Sequence, residues 1–443
     1  MNSQAMKKYL LVLLLVSSFW VNGQDLSVSV PLVSLPQNLK KYPSMQQSMG
    51  ISTSMYEFSF FGLHSLGGKW MGSAPNWQRQ SLEYVVGFAF SQYGSELPIP
   101  LGVWGHEEYH RSVLSTANIH SFNGNWLLHR WDGTVYGPSD EELSELKAND
   151  LDVLLYSYVS GVQYETQLTK KMVIQDFHNA SKNWKAPLYL YNAFYVWNYF
   201  KLATSTLSDS VKVIAPQYES SSPDQRDFAG LDLTAWAYDM FSPDQPYTNR
   251  DDFPNGEGVN RRVGFHDLSI EAQHYLKKQK KLSLLNFINP AIFLINKIRV
   301  NEHLEVLPFV VYQPTHFGNA ISLQMPFQYD DQGYLLGLTR FSNYHTSSYG
   351  VDLGVMNRPV AGVDEFSMSC VFHLWKQPAS FYSHKSRWGG ALDVIFKYRL
   401  SENFGLNMDC SVKSAGWQEG NPYLDRKINV QFGIDYSVRT LKF

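Results

Sequence analysis

Leu392-Asp-Val-Ile-Phe-Lys-Tyr-Arg-Leu400 places apolar side chains at 392, 394, 396, 398 and 400 against Asp393, Lys397 and Arg399. Successive side chains of a strand point to opposite faces, so this stretch reads as a strand with one apolar and one polar face. The following stretches repeat it. Phe404, Leu406, Met408, Cys410 and Val412 alternate with Asn407, Asp409 and Lys413, and Ile428, Val430, Phe432, Ile434, Tyr436 and Val438 alternate with Asn429, Gln431, Asp435 and Arg439. Working back toward the middle of the chain, Phe366, Met368, Cys370, Phe372 and Leu374 keep the period. So do Tyr334, Leu336 and Leu338, and Leu323, Met325 and Phe327 alternate with Ser322, Gln324 and Gln328. Turn-forming runs such as Asp330-Asp-Gln-Gly333 and Ser401-Glu-Asn403 separate them. The pattern predicts about eight antiparallel strands within 301–443, most about ten residues long.

A period of two has two solutions. In a soluble barrel or sandwich the apolar phase points inward. In an outer-membrane β-barrel it points outward to lipid, and an even number of strands of this length is that architecture's signature. The chain ends in Phe443, which resembles the terminal aromatic of bacterial outer-membrane barrels. Residues 1–23 read as a secretory signal peptide, with Lys7 and Lys8 before the apolar run Tyr9–Val16 and small residues Val21 and Gly23 before a cut at Gln24. That run is too short to span a bilayer comfortably, and with no Cys after the cut a lipoprotein anchor is not expected. The 15 % aromatic content, with 27 Tyr and 12 Trp, suits a membrane interface. The expectation is therefore a protein exported to the outer membrane of a Gram-negative bacterium, with outer-membrane lipid as one partner. A net charge of −3 gives no reason to expect a nucleic-acid partner. The only cysteines, Cys370 and Cys410, fall two strands apart and are expected to be unbonded.

Upstream of about residue 300 the period changes to that of helices. A helix is predicted over 81–92, ending at Gly94, and a hairpin over Trp126–Tyr136 turning at Asp132-Gly133. Ser139 and Glu142 form a capping box opening a helical region that continues through 149–178. An aromatic helix follows at 187–202, then polar loops over 204–262 interrupted by a short helix near Leu231–Met240. A further helix runs from a cap at Asp267 or Ser269 to about Lys281. The fold class is α+β: a mostly helical domain over 24–300 and an antiparallel β-barrel of about eight strands over 301–443.

The helical half carries His106-Glu107-Glu108-Tyr109-His110 inside Val103–Ser112. Four residues apart on a helix, the two imidazoles converge on one point, as a tetrahedral zinc requires. The alternative is a pair of surface histidines on a charged helix. The segment resembles the active-site helix of the zincin metallopeptidases. That resemblance implies Zn2+ held by His106 and His110, Glu107 as general base, and hydrolysis of an amide in a peptide or protein substrate. Val113 and Thr116 stand where metzincins carry Gly and a third His, so that subclass is excluded. Gluzincins instead take a Glu from a later helix, and Glu165 ends an apolar stripe of Leu151, Leu155, Tyr158 and Val162. An unpaired carboxylate on such a stripe is costly, and Gly161 one turn earlier lets its helix approach a neighbour. Glu165 is the expected third metal ligand; Asp152, Asp176 and His120 are weaker candidates. For oxyanion stabilisation, His129, Tyr136 and the Arg261-Arg262 pair have suitable side chains.

Two other classes fit the sequence. One is a non-catalytic outer-membrane barrel with a helical plug or cap. The other is an inner-membrane metallopeptidase with 151–169, 187–202 and 282–298 as membrane helices, against which stand Pro290 and the Asn residues at 286, 289 and 296.

Overall fold

A computed structural model describes residues 26–70, 75–97, 99–124, 134–179, 183–360 and 362–438. The 1–23 leader, the Asp132-Gly133 turn, His129 and Phe443 lie outside the described residues. The chain opens with strand β1 (Leu26–Leu35), followed by helices α1 (Met45–Trp70), α2 (Asn76–Ala89) and α3 (Gly102–Leu114). A short antiparallel pair, β2 (Phe122–Asn123) and β3 (Val135–Tyr136), precedes α4 (Asp140–Asn149) and α5 (Leu151–Asn179). Then come α6 (Ala186–Ala203), α7 (Thr206–Ile214), α8 (Asp232–Phe241) and α9 (Ile270–Ser283). The Ser139 side chain accepts from the backbone N–H of Glu142, whose carboxylate accepts from the backbone N–H of Ser139, so the capping box starts α4 as its sequence requires.

The remaining strands are β4 (Ile298–Arg299), β5 (Leu304–Val306), β6 (Phe309–Thr315), β7 (Gly318–Tyr329), β8 (Gln332–Ser342), β9 (Ser347–Val360), β10 (Val363–Pro378), β11 (Ser386–Arg399), β12 (Phe404–Lys413) and β13 (Lys427–Val438). They join β1 in one 11-stranded antiparallel sheet of order β1-β13-β12-β11-β10-β9-β8-β7-β5-β4, with β6 on β7. The expected antiparallel sheet is present and larger than the eight strands predicted; among the described residues its pairing path runs from β1 at one edge to β4 at the other, without closure by strand pairing. It gains a strand from the far end of the chain, because β1 pairs with β13 from Leu26↔Val438 to Leu35↔Val430. No local pattern announces such a pairing.

The exposed face of the sheet is apolar, and its buried face is mixed, with many polar side chains beside Leu335, Phe341, Trp375 and Ala391. Leu353, Phe372, Leu392, Leu406 and Phe432 are 42–52 % exposed on one face. Gln324, Asn407, Ser411, Asn429 and Gln431 are buried on the other. His373 stands on that inner face between Asp352 and Asp393, at 2.8 and 3.0 Å. This is the reverse of a soluble sandwich, in which the apolar phase meets the core.

What the inner face packs on is α5. The Gln163 side chain donates to Pro314 O (2.7 Å), Gln167 to Gln313 (3.0 Å), and the Tyr156 hydroxyl to Asn421 O (2.9 Å). Lys170 pairs with Glu419. Twenty-one of the 29 residues of α5 are buried, including every one from Val153 to Leu168, as suits a helix enclosed by protein. Its opposite side meets α3 at two glycines. A Cβ at Gly105 would strike the Tyr164 ring, and one at Gly161 would strike both His106 and His110. No described helix is long and apolar enough to cross a membrane. Cys370 and Cys410 are free thiols, as expected.

Candidate metal centre

The motif helix α3 is not a surface helix: His106 and His110 are 2 % and 1 % exposed, and Glu107, Glu108 and Tyr109 are buried with them. Four residues apart, the rings share a face, with centroids 4.9 Å apart. Each Nδ1 is engaged by α5. Glu165 Oε1 lies 3.0 Å from Nδ1 of His106, and the Ser157 carbonyl lies 2.5 Å from Nδ1 of His110. Ser157, Gly161 and Glu165 are spaced by four, so one stripe of α5 supplies both orienting acceptors with a glycine between them. With Nδ1 donating outward, each Nε2 turns to the common point, as metal-ligating histidines are normally held.

The third group at that point is Asp232, whose Oδ2 lies 3.5 Å from Nε2 of His106 and 3.5 Å from Nε2 of His110. His106, His110 and Asp232 form a buried set that could hold a metal ion. Their spacing suits one. Bonds of about 2.0–2.2 Å arranged tetrahedrally put neighbouring ligand atoms about 3.3–3.6 Å apart. The space is kept open by Gly161, since an added Cβ would fall at coordination range from both Nε2 atoms, where the ion belongs. Asp232 stands in the first turn of α8, where the positive end of the helix dipole favours an anion, and the Tyr199 hydroxyl donates to its Oδ2 at 2.7 Å.

The electrostatics ask for a cation. Burial opposes charge on both imidazoles, yet the neighbouring carboxylates outweigh it and hold both above the usual histidine range; for His106 these are chiefly Glu165 and Asp232, for His110 chiefly Asp232. Burial would raise the Asp232 carboxyl, but the two imidazoles pull it far below the usual carboxylate range. Metal binding to such a set would displace the imidazole protons. Glu107, the residue after His106, is pushed up to about 7 by burial, against the lowering effect of the two histidines and with Asp232 and Asp227 adding to the rise. Carboxyls shifted this far by burial and neighbouring charges cluster at functional sites.

Of the residues singled out in the sequence, the structure brings His106, Glu107 and His110 together. Glu165 is beside them, but behind His106 on Nδ1 and away from the face shared by the two Nε2 atoms. Asp176 accepts from the Tyr189 hydroxyl at 2.5 Å and pairs with Lys185. His120 lies against the Tyr42 ring, and Asp152 faces a different cavity near Arg387. Arg261 is bound to Asp140, and Arg262 to Glu219 with Asp227 at 3.9 Å. Glu108, which crowds the motif with charge, turns from the centre to Arg111 and Asn123. Asp232 escaped sequence reasoning. The signal available was Gly230-Leu-Asp232 at the start of a short helix, where Gly230 takes a positive φ of 72°; read as a turn into a surface helix, it gave no hint of facing α3.

No protein-family model, no curated protein and no solved structure matches this chain.

Proposed function

We propose that this protein is a zinc-dependent hydrolase of the zincin type, cleaving peptide or protein amide bonds, and that its sheet seats it in a bacterial outer membrane. The observation that carries the enzymatic reading is the pair of 3.5 Å approaches of Asp232 Oδ2 to the two Nε2 atoms, with Glu107 one residue from His106. In this reading His106, His110 and Asp232 hold the ion, and Glu165 and Ser157 orient the rings. Two nitrogens and a carboxylate oxygen, with a fourth position open, are a catalytic zinc set. When bound, zinc polarises the substrate carbonyl and favours deprotonation of water. Glu107 accepts the proton of the attacking water and returns it to the departing amine. Tyr199 holds Asp232 in place, and Tyr195, its ring 6.1 Å from that of His106, narrows the space beside the centre.

The membrane reading is supported by the outward apolar phase of the sheet and by its rims. Along β11, Trp388 is 69 % exposed at one end and Tyr398 is exposed at the other, with Leu392 between. Tyr349 is exposed near the Trp388 end, and Tyr329 and Phe404 near the Tyr398 end. An aliphatic band between two aromatic girdles is the pattern of barrels in outer membranes. The barrel remains part of this proposal, in a form whose wall is not made of strands alone.

The test is cleavage of a peptide library by detergent-purified protein, with and without zinc, beside Glu107→Gln. Cleavage lost in the variant while its metal is retained supports the hydrolase; equal cleavage by both, or none by the zinc-loaded wild type, contradicts it.

A further inference from the structure

Among the described residues the sheet has β1 at one edge and β4 at the other, and the elements between them in the circuit are helical. α1 covers the β1 edge: the Ser54 hydroxyl donates to Ser29 O (2.6 Å), Gln47 donates to Leu32 O (3.1 Å), and Gly50 fits against Pro31. α2 packs on α1 and joins it through His64, whose Nδ1 lies 2.9 Å from Glu83. The Tyr84 hydroxyl of α2 donates to Ile292 O at 2.9 Å, within the turn Pro290–Phe293 that leads directly into β4. The circuit β4 through β13, β1, α1, α2 and 290–293 is therefore continuous.

We infer that α2 and the 284–298 segment close the gap in the sheet as a helical sector of the wall, and that this sector faces bilayer hydrocarbon. The inference rests on the membrane seating proposed above and extends it to a surface the strand pattern does not cover. Three observations point to lipid. After an exposed polar start with Gln78, Gln80 and Ser81, the outward side of α2 is apolar through Leu82, Val85, Val86 and Ala89, continuing into exposed Leu284, Ile288, Phe293 and Ile295. The charged residues of α2, Arg79 and Glu83, pair with each other, and Glu83 turns inward to His64, as ionisable groups do beside lipid. Finally, the dimensions agree. Exposed Trp77 at the start of α2 and Tyr93, in the π-helical turn Phe90–Gly94 that continues it, bracket the apolar stretch, about 24 Å apart at the α-helical rise of about 1.5 Å per residue. Trp388 and Tyr398 are about 33 Å apart along β11, which at the usual tilt of barrel strands is about 25 Å of membrane depth. With α2 running close to the membrane normal, the two elements carry aromatic rims at similar depths.

Hydrocarbon offers no hydrogen bonds, so a lipid-facing sector must satisfy its own backbone. α2 does so as a helix. In the turn beside it, Ile292 O accepts from Tyr84, Ile288 O accepts from the N–H of Val310, and the N–H groups of Leu294 and Ile295 donate to Ala291 and Pro290.

The test uses the full chain with Cys370→Ala and Cys410→Ala, carrying one new cysteine labelled with bimane. The labelled sites are Val85→Cys, Phe293→Cys, Leu392→Cys on the sheet, and Ser221→Cys on an exposed loop. Each protein is reconstituted in vesicles of brominated phosphatidylcholine. The expected result is loss of fluorescence at Val85, Phe293 and Leu392 to a comparable extent, with Ser221 unquenched. Quenching at Leu392 but not at Val85 and Phe293 overturns the helical sector while leaving the membrane seating intact. If Val85 also resists aqueous iodide, a second protein covers that face and lipid does not. No quenching at Leu392 removes the seating and the sector together.

Discussion

The outer face of the sheet and the crossing of α3 with α5 invert each other. On the sheet, Leu353, Leu392 and Leu406 are turned out and Asp352, Asp393 and Asn407 are turned in. At the helix crossing, two imidazoles and the carboxylates of Glu107, Glu165 and Asp232 are buried where apolar residues would ordinarily pack. Both arrangements are unfavourable in a simple soluble globule, since each leaves apolar surface wet or charge dry. In the proposed function each would become favourable with one addition: lipid outside the sheet, and a cation between the helices. The molecule is organised by what α5 separates, with its sheet-facing side holding the polar interior and its Ser157-Gly161-Glu165 stripe holding the histidines.

The comparison can be broken at several points. The sharpest is Gly161→Ala, in which the methyl group occupies the space between the two Nε2 atoms. The expected outcome is complete loss of bound metal and of activity, with the sheet intact, read by elemental analysis and circular dichroism on the same sample. Glu107→Gln keeps all three metal-facing groups, so metal content is expected to stay while turnover falls about 10²–10⁴-fold, the usual scale for a general base. On the other region, Leu392→Arg puts a charge on the outward band and is expected to cost about 2–4 kcal/mol if that site lies at mid-membrane. It would be measured as a lowered midpoint of unfolding from vesicles, with the metal centre unaffected. Glu165→Gln keeps an acceptor beside His106 but removes its charge; a loss of about 10–100-fold in metal affinity is expected, as for other groups that orient a ligating histidine, and competition with a chelator would measure it.

Much of this plan was legible before the structure. The alternation of 323–327, 366–374, 392–400, 404–412 and 428–438 marked β7 and β10–β13, and H-E-x-x-H at 106–110 marked α3, because both signals are local and periodic. The direction of the strands' apolar phase was not legible, since an alternating sequence is the same with either face inward. The sheet's extent was missed for a different reason: β1 pairs with β13 across almost the whole chain, and its Pro31, at a register shift, disguises it as a loop. Glu165, expected as the third ligand, lies instead on Nδ1 of His106, and Gly161 is the point of close approach its sequence suggested. Which carboxylate shares the point between the Nε2 atoms depended on how a third helix, α8, docks through Asp232, and no spacing within 102–179 encodes that. The pairing of buried Lys185 with Glu57 was equally invisible, since it joins segments 128 residues apart.

The claim on which the account turns is that His106, His110 and Asp232 together bind one ion. It is tested most directly by metal content of the detergent-purified full chain, in parallel with His110→Ala and Asp232→Asn. The account predicts about one zinc per wild-type chain, lost or sharply reduced in both variants, while Asp152→Asn keeps it. Absence of bound metal from the zinc-supplemented wild type, or its retention in both His110→Ala and Asp232→Asn, would contradict it.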